Sequence, residues 1–299
     1  MALPDALVTS VVAALETAGD TTAIQSVQPV SGGCINNAQR LETAQNVYLL
    51  KWNARPLPNM FLVEAQGLQL MYDTQTVRVP AVLTAIDADD DRPAYILMEW
   101  LEGPAGAARR GDQTLLGTQL AAMHGHGTDA YGLDQDNYIG STPQYNGWEV
   151  DWVRFYREQR LRPQIELAQR NGLLPTNRRQ RLERLLERLD GWLTGVARQP
   201  ALLHGDLWGG NVVTGPGGVP ALIDPAVYYG DREAEIAFTE LFGGFSTRFY
   251  DAYQEAWPLE PGYTDRRDLY HLYHLLNHLN LFGESYGAQV DAIARRYAG

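Results

Sequence analysis

Asp206 and Asn211 stand five residues apart in His204-Gly205-Asp206-Leu207-Trp208-Gly209-Gly210-Asn211, a stretch bounded by apolar Ala201-Leu202-Leu203 and Val212-Val213. On a tight loop between two short strands, Asp206 could accept a hydroxyl proton. Asn211 could then turn its amide oxygen to a metal ion beside phosphate. Thirteen residues further on, Ile223-Asp224-Pro225 brings another carboxylate to the end of a strand. Mg²⁺ is a hard ion that takes carboxylate and amide oxygens while keeping water and phosphate ligands, and Asn211 with Asp224 would supply that pair. Taken singly, each segment is also an ordinary turn rich in Asp, Asn and Gly. Their order, with a singular lysine upstream, is what points to chemistry.

That lysine is Lys51, the only one in the chain; the other 23 of the 24 basic residues are arginines. It sits in Val47-Tyr48-Leu49-Leu50-Lys51-Trp52, a short apolar run that reads as a strand. Arg and Lys exchange freely on a solvated surface, but not where a compact ammonium must fit among phosphate oxygens. Glu64, thirteen residues on and in an expected helix, would orient Lys51 as an ion pair; a solvated helix carboxylate is the competing reading. Ser31-Gly32-Gly33-Cys34-Ile35-Asn36-Asn37 forms a strand–turn–strand whose backbone N–H groups could cover phosphates. It is neither a full G-x-G-x-x-G nor a Walker A loop, and a plain hairpin turn would look similar. From this turn, Gly32, Gly33, Cys34 and Asn36 are candidate nucleotide contacts. Met98-Glu99-Trp100-Leu101-Glu102 falls where the pattern changes, and the backbones of Glu99 and Leu101 are candidates for holding a purine.

The elements that would position these residues fall into two groups. Leu3 to Ala18 is spaced as a helix, and strands are expected over 23–30, 35–42, 47–52, 77–86 and 93–100, with a helix over 59–72. After Gly103-Pro104 helices dominate: 114–126, 151–171, 178–196, 233–242 and 266–282, with short strands at 200–203, 211–214 and 221–223. The fold class is α+β and bilobal. A small antiparallel-sheet lobe with one inserted helix, residues 1–101, would bind nucleotide; a larger, mostly helical lobe, 102–299, would carry catalysis and substrate. The alternating charges of Arg178–Arg188 suggest a solvated helix face.

Composition excludes several classes. A hydrophobic fraction of 45% and a charged fraction of 20% describe an ordinary globular chain of 299 residues. No apolar run approaches the ~20 residues that span a bilayer, and the N-terminus lacks the pattern of a signal peptide. A net charge of −12 argues against nucleic acid or anionic membrane as partner, though it also fits a simple solubility trait. One cysteine cannot form an internal disulfide, so a cytoplasmic location is expected. Cys34 could inhibit nucleotide binding when oxidised or link two chains, so the expectation is a monomer or a redox-linked dimer; a buried inert thiol fits equally. His271, His274 and His278 share a helix face, where core or pocket-lining roles suffice without a metal.

With these motifs in hand, the sequence resembles the fructosamine (ketosamine) kinases of the protein-kinase-like superfamily, which includes aminoglycoside phosphotransferases and choline kinases. The superfamily pattern is His204-Gly205-Asp206 with Asn211, then Ile223-Asp224. Leu207-Trp208-Gly209-Gly210-Asn211 and Asp224-Pro225-Ala226-Val227-Tyr228-Tyr229-Gly230-Asp231 narrow it, and Gly33-Cys34-Ile35-Asn36-Asn37, Trp148-Glu149-Val150-Asp151-Trp152 and Leu279-Asn280-Leu281-Phe282-Gly283 extend it over nearly the whole chain.

The resemblance implies a protein-kinase-like fold, ATP and Mg²⁺ as cofactors, and transfer of the γ-phosphoryl group to the 3-hydroxyl of a ketosamine, free or on a glycated protein, as a deglycation step. It makes Asp206 the base, Asn211 and Asp224 the metal ligands, and Lys51 the contact to the α/β-phosphates. Trp208 could stack on the sugar or its amine-bearing arm, or simply brace the loop. Other readings are an aminoglycoside- or choline-type kinase, a non-catalytic nucleotide-binding scaffold and a protein kinase. Two departures from protein kinases matter: Gly205 replaces the arginine that would receive an activation-loop phosphate, and Pro225-Ala226 replaces Phe-Gly after Asp224. Both imply an enzyme active without phosphorylation. Glu235 stands where relatives often carry Asp and is expected to buttress the catalytic loop.

Overall fold

The computed structural model describes residues 3–30, 36–104 and 110–299. The chain begins with α1 (Asp5–Thr17), β1 (Ile24–Pro29), β2 (Asn37–Thr43), β3 (Val47–Asn53), α2 (Met60–Asp73), β4 (Val82–Ile86) and β5 (Ala94–Glu99). It continues through α3 (Gln113–His124), β6 (Asn137–Ile139), β7 (Thr142–Gln144), α4 (Trp152–Phe155), a π-helical turn (Tyr156–Leu161), α5 (Arg162–Arg170) and α6 (Thr176–Leu193). Three short strands follow, β8 (Ala201–Leu203), β9 (Val212–Thr214) and β10 (Pro220–Leu222), then β11 (Tyr228–Gly230). The last helices are α7 (Arg232–Leu241), α8 (Thr247–Ala256), α9 (Tyr263–Phe282) and α10 (Gly287–Ala298). The class is α+β.

Two compact units result: the described residues of Met1–Asp112 with Val212–Pro225, and Gln113–Asn211 with Ala226–Gly299. The chain therefore passes between units three times, whereas the expected lobes meet at a single boundary after residue 101. The reason lies at Arg78. The Leu222 N–H donates to the Arg78 carbonyl (2.8 Å), and Arg78 bridges to Ala221, so the β9–β10 hairpin belongs with the first unit.

The first unit is an antiparallel sheet in the order β1-β2-β3-β5-β4. Side chains alternate across a strand. On β3, Tyr48, Leu50 and Trp52 therefore face α1, where they bury with Leu7, Val11, Leu15, Leu41, Tyr95 and Leu97. Lys51 lies between them in sequence and projects from the opposite face, with Ala38 and Ile96 as its cross-strand neighbours. The expected strand 77–86 is shortened to Val82–Ile86. Pro80 has no N–H to give a ladder, and Arg78 pairs with the hairpin instead.

In the second unit, α6, α9 and α10 present apolar stripes at helical spacing: Leu182, Leu185, Leu189; Leu269, Leu272, Leu276, Leu279; Val290, Ile293, Ala294, Tyr297. Each buried leucine contributes about 1.5–3 kcal/mol relative to exposure. The charged face expected over Arg178–Arg188 is solvated at Arg179, Glu183, Arg184, Glu187 and Arg188, and Arg178 departs from it. Arg178 is 2% exposed, and its guanidinium spans Glu284 (2.6 Å) and Asp291 (3.0 Å), tying α6 to α10. The expected helix over 151–171 is interrupted by the π-turn. The helices α8 and α10 and the strands β6, β7 and β11 were not anticipated.

Candidate active site

In the first unit the site is built around Lys51, which is 8% exposed. Its Nζ donates to Glu64 Oε1 (2.7 Å) and to the Asp224 carboxylate. Glu64 lies in the apolar stripe of α2, in register with Met60, Gly67 and Met71 at spacings of three and four. That placement rules out the solvated-carboxylate reading: the Glu64 side chain is 14% exposed. Burial acts to lower the Lys51 pKa, but the Asp224 and Glu64 carboxylates outweigh it and hold the ammonium above the ordinary lysine range. Burial raises the Glu64 carboxyl, and the Asp224 charge adds to this against the pull of Lys51. Two carboxylates thus share one cation, so the fully ionised triad carries a net negative charge suited to a further cation.

Asp224 adopts a left-handed backbone conformation (φ 57°), one that costs a non-glycine residue energy and that clusters at functional positions. Its side chain is the exposed member of the triad, at 45%. The end of β5 is held nearby in the same unit. Glu99 pairs with Arg78 through its carboxylate, accepts from the Ala81 N–H (3.1 Å) and donates its own N–H to the Ala81 carbonyl (2.8 Å). Leu101 lies half-buried in the segment that follows β5. Asn36 accepts from Asn53 Nδ2 (2.9 Å) at the far end of β3. Gly32, Gly33 and Cys34 lie outside the described residues.

In the second unit the site is the loop after β8. Asn211 Nδ2 donates to the Asp206 carbonyl (2.8 Å) and to Asp206 Oδ2 (3.2 Å), which turns the amide oxygen to the opposite side. His204, fully buried, accepts the Asp206 N–H on Nδ1 (3.2 Å). Glu235 closes the loop from below, Oε2 accepting the His204 N–H (3.0 Å) and Oε1 the Gly205 N–H (2.7 Å). Burial would raise the Glu235 carboxyl, but the hydrogen bond and charge of His124, with His204 and the Gly205 N–H, hold it below the usual range.

Gly205 is obligatory for this geometry. Its φ is +82°, and a Cβ there would meet the Ala226 carbonyl oxygen at 1.9 Å. Trp208 is 44% exposed, and its ring lies over Gly210, where an added Cβ would meet ring carbons at 2.2 to 2.6 Å.

The three histidines of α9 have core roles. His271 Nε2 bonds the Ala237 carbonyl (2.8 Å), His274 stacks on Phe238 at 3.4 Å between ring centroids, and His278 Nδ1 bonds the His274 carbonyl (2.8 Å). Sequence reading did not single out His124, whose Nε2 bonds Glu235 (2.9 Å), or Arg78, which fastens β5 to the β9–β10 hairpin. Both lie in unremarkable helical or strand patterns, and only tertiary pairing marks them.

Such a lysine–two-carboxylate cluster in one unit and an Asp–Asn loop clasped by a buried carboxylate in the other are the parts of a phosphotransferase. The sequence model of fructosamine kinases matches residues 8–298. The chain belongs to the fructosamine kinase family. It is 42% identical over 284 residues to the chloroplastic protein-ribulosamine 3-kinase of Oryza sativa subsp. japonica, covering 94% of this chain and 81% of that one. A relative from Lactiplantibacillus plantarum, named a probable ketoamine kinase, is 42% identical over 278 residues, covering 92% and 95%. Among solved structures, one from Thermobifida fusca with a provisional fructosamine-3-kinase name superposes with a TM-score of 0.84 at 32% identity, covering 99% of both chains. An aminoglycoside phosphotransferase superposes with a TM-score of 0.61 at 18% identity over 98% of this chain and all of that one, which shows the kinase-like fold. Among the described residues, no helix is long and apolar enough to cross a membrane.

Proposed function

We propose that this member of the fructosamine kinase family transfers the γ-phosphoryl group of ATP to the 3-hydroxyl of a ketosamine, with Asp206 as the base that orients and deprotonates the attacking hydroxyl. The observation that carries the reading is the Lys51 ammonium held between Glu64 and Asp224 (Nζ to Glu64 Oε1, 2.7 Å). Buttressed in this way, a compact ammonium is preset to meet the α/β-phosphates, since the ion pair fixes its position before nucleotide arrives. Nucleotide binding is assigned to the expected lobe 1–101 and catalysis to 102–299. In this assignment the glycine turn with Gly32, Gly33, Cys34 and Asn36 covers the phosphates. The Glu99 carbonyl and the Leu101 backbone meet the adenine, the Glu99 N–H being already committed to Ala81.

The donors suit Mg²⁺: a carboxylate on Asp224 beside a net negative cluster, and an amide oxygen on Asn211 whose nitrogen is fixed by Asp206. Bound there, Mg²⁺ would offset charge developing on the transferred phosphoryl group. Trp208 presents an exposed ring face two residues from Asp206, which supports stacking on the sugar or the amine-bearing arm.

The test is a substrate profile: ribulosyl-lysine, fructosyl-lysine and an aminoglycoside with MgATP, the product assigned by phosphorus NMR. Phosphate on O3 of a ketosamine is the expected outcome. Turnover of the aminoglycoside alone would remove the substrate assignment while leaving the kinase fold.

A further inference from the structure

Arg160 sits in the π-turn between α4 and α5, fully buried, and among the described residues no carboxylate pairs with it. Its guanidinium lies over the rings of Tyr228 (3.9 Å) and Phe155 (4.6 Å). Nη2 donates to Asn146 Oδ1 (2.8 Å) and Nη1 to the Tyr145 and Gln159 carbonyls. Burying a charge without a counter-ion is costly, so what the charge organises is informative.

Each partner is oriented by the one before it. Because Asn146 Oδ1 accepts from Arg160, its Nδ2 must face the other way, and it donates to Asn137 Oδ1 (3.1 Å) and to the Gln135 carbonyl (3.0 Å). Asn137 Oδ1 also accepts from Gln144 Nε2 (2.8 Å), which leaves Asn137 Nδ2 to donate to the Val227 carbonyl (2.8 Å). Gln144 Nε2 also donates to the Ala226 carbonyl (2.9 Å), and its Oε1 accepts from Tyr273 (2.7 Å). The chain of dipoles starts at a cation and ends as two N–H donors on consecutive backbone carbonyls. Asn137, Gln144, Asn146 and Tyr273 are all buried.

Those carbonyls belong to the first residues beyond Asp224-Pro225. Ala226 also donates its N–H to the His204 carbonyl (2.8 Å), and its own carbonyl occupies the space a Gly205 Cβ would need. We propose that the Arg160–Asn146–Asn137–Gln144 network is a built-in positioning device that fixes Ala226–Val227, and with it the catalytic loop, in one active arrangement without phosphorylation. The inference rests on the phosphotransferase reading above. These four are positioning residues: they reach the reaction through the backbone they hold.

Asn146→Asp separates this role from simple packing. The change keeps the shape and places a carboxylate against Arg160, but it removes the donor that orients Asn137. We expect kcat to fall between about tenfold and about a hundredfold with the ATP KM unchanged, and the melting temperature to be kept or raised. Amide hydrogen exchange of Ala226 to Tyr229 should speed up by about tenfold while α6 and α10 keep their protection. Gln144→Met, which deletes the donor to Ala226, should reproduce the local exchange effect, and Gln144→Glu assayed at lowered pH should regain part of the lost kcat as the carboxyl becomes a donor.

Unchanged exchange at 226–229 with unchanged kcat would overturn the proposal. So would a loss of protection throughout the unit, which would make the network a general determinant of the fold. The exchange measurement needs no substrate, so a wild-type protein inactive on ketosamines would fail the functional reading and leave this one to be judged separately.

Discussion

Lys51 is where residue-level chemistry is most constrained. In a chain that otherwise uses arginine, the one lysine is buried between two carboxylates on a strand face opposite the core. Arginine offers a larger planar fork, and at this site it would displace Glu64 or Asp224. We expect Lys51→Arg to raise the ATP KM and lower kcat, measured by steady-state kinetics; near-normal turnover would remove the argument for a compact ammonium. Gly205→Ala is the second residue-scale prediction. The added methyl would meet the Ala226 carbonyl oxygen at 1.9 Å from a residue already at positive φ, so the loop must shift. Strain of about 1–3 kcal/mol is expected in thermal unfolding, with catalysis lost more severely than stability. Much of this was legible in sequence: Asp206, Asn211, Asp224, Lys51 and Glu64 were singled out by type and spacing, and Glu235 as a buttress. What spacing cannot convey is who pairs with whom. His124, Arg78 and Arg160 carry no local signature, because their roles come from partners 21 to 144 residues away or from ring faces and neutral carbonyls.

At the scale of elements, the turns of the small sheet depend on one buried carboxylate. Asp20, 3% exposed, accepts from Thr22 Oγ1 (2.6 Å), Thr43 Oγ1 (2.6 Å), the Thr22 N–H (3.1 Å) and Tyr48 OH (3.0 Å), joining the end of α1 to β2 and β3. The bonds from Thr22 and Thr43 hold its carboxyl well below the ordinary value of 3.8. A carboxyl depressed in the fold stabilises it above the unfolded value and loses that contribution as pH falls. Thermal unfolding between pH 7 and pH 3 should therefore show wild type losing stability at the acid end more steeply than Asp20→Asn, which has no charge to lose. An equal acid slope in both proteins would contradict this. Elements with a clear local signal, such as the short apolar run of β3 and the 3.6-residue spacing of α6, were readable in sequence. The helices α8 and α10 were not anticipated, although both carry apolar residues at helical spacing (Phe249, Ala252 and Tyr253; Val290, Ile293, Ala294 and Tyr297), and Val77–Arg78 left its expected strand because Pro80 breaks the ladder and Arg78 pairs with β9–β10.

For the whole molecule, a net charge of −12 sets the field in which an anionic nucleotide must be held. Lys51 and the proposed metal ion would act against that field locally, so nucleotide affinity should depend on Mg²⁺ far more than on ionic strength. MgATP at about a hundred times its Kd should stabilise the protein by about 2.7 kcal/mol, and ATP with chelator much less; scanning calorimetry with and without Mg²⁺ reads this directly. The most direct test of the account as a whole is ketosamine-dependent ATP consumption by wild type beside Asp206→Asn. The account predicts turnover with ribulosyl- or fructosyl-lysine that falls by about 10²–10⁴ in the variant while nucleotide binding is retained. Wild-type-like turnover in Asp206→Asn would contradict it.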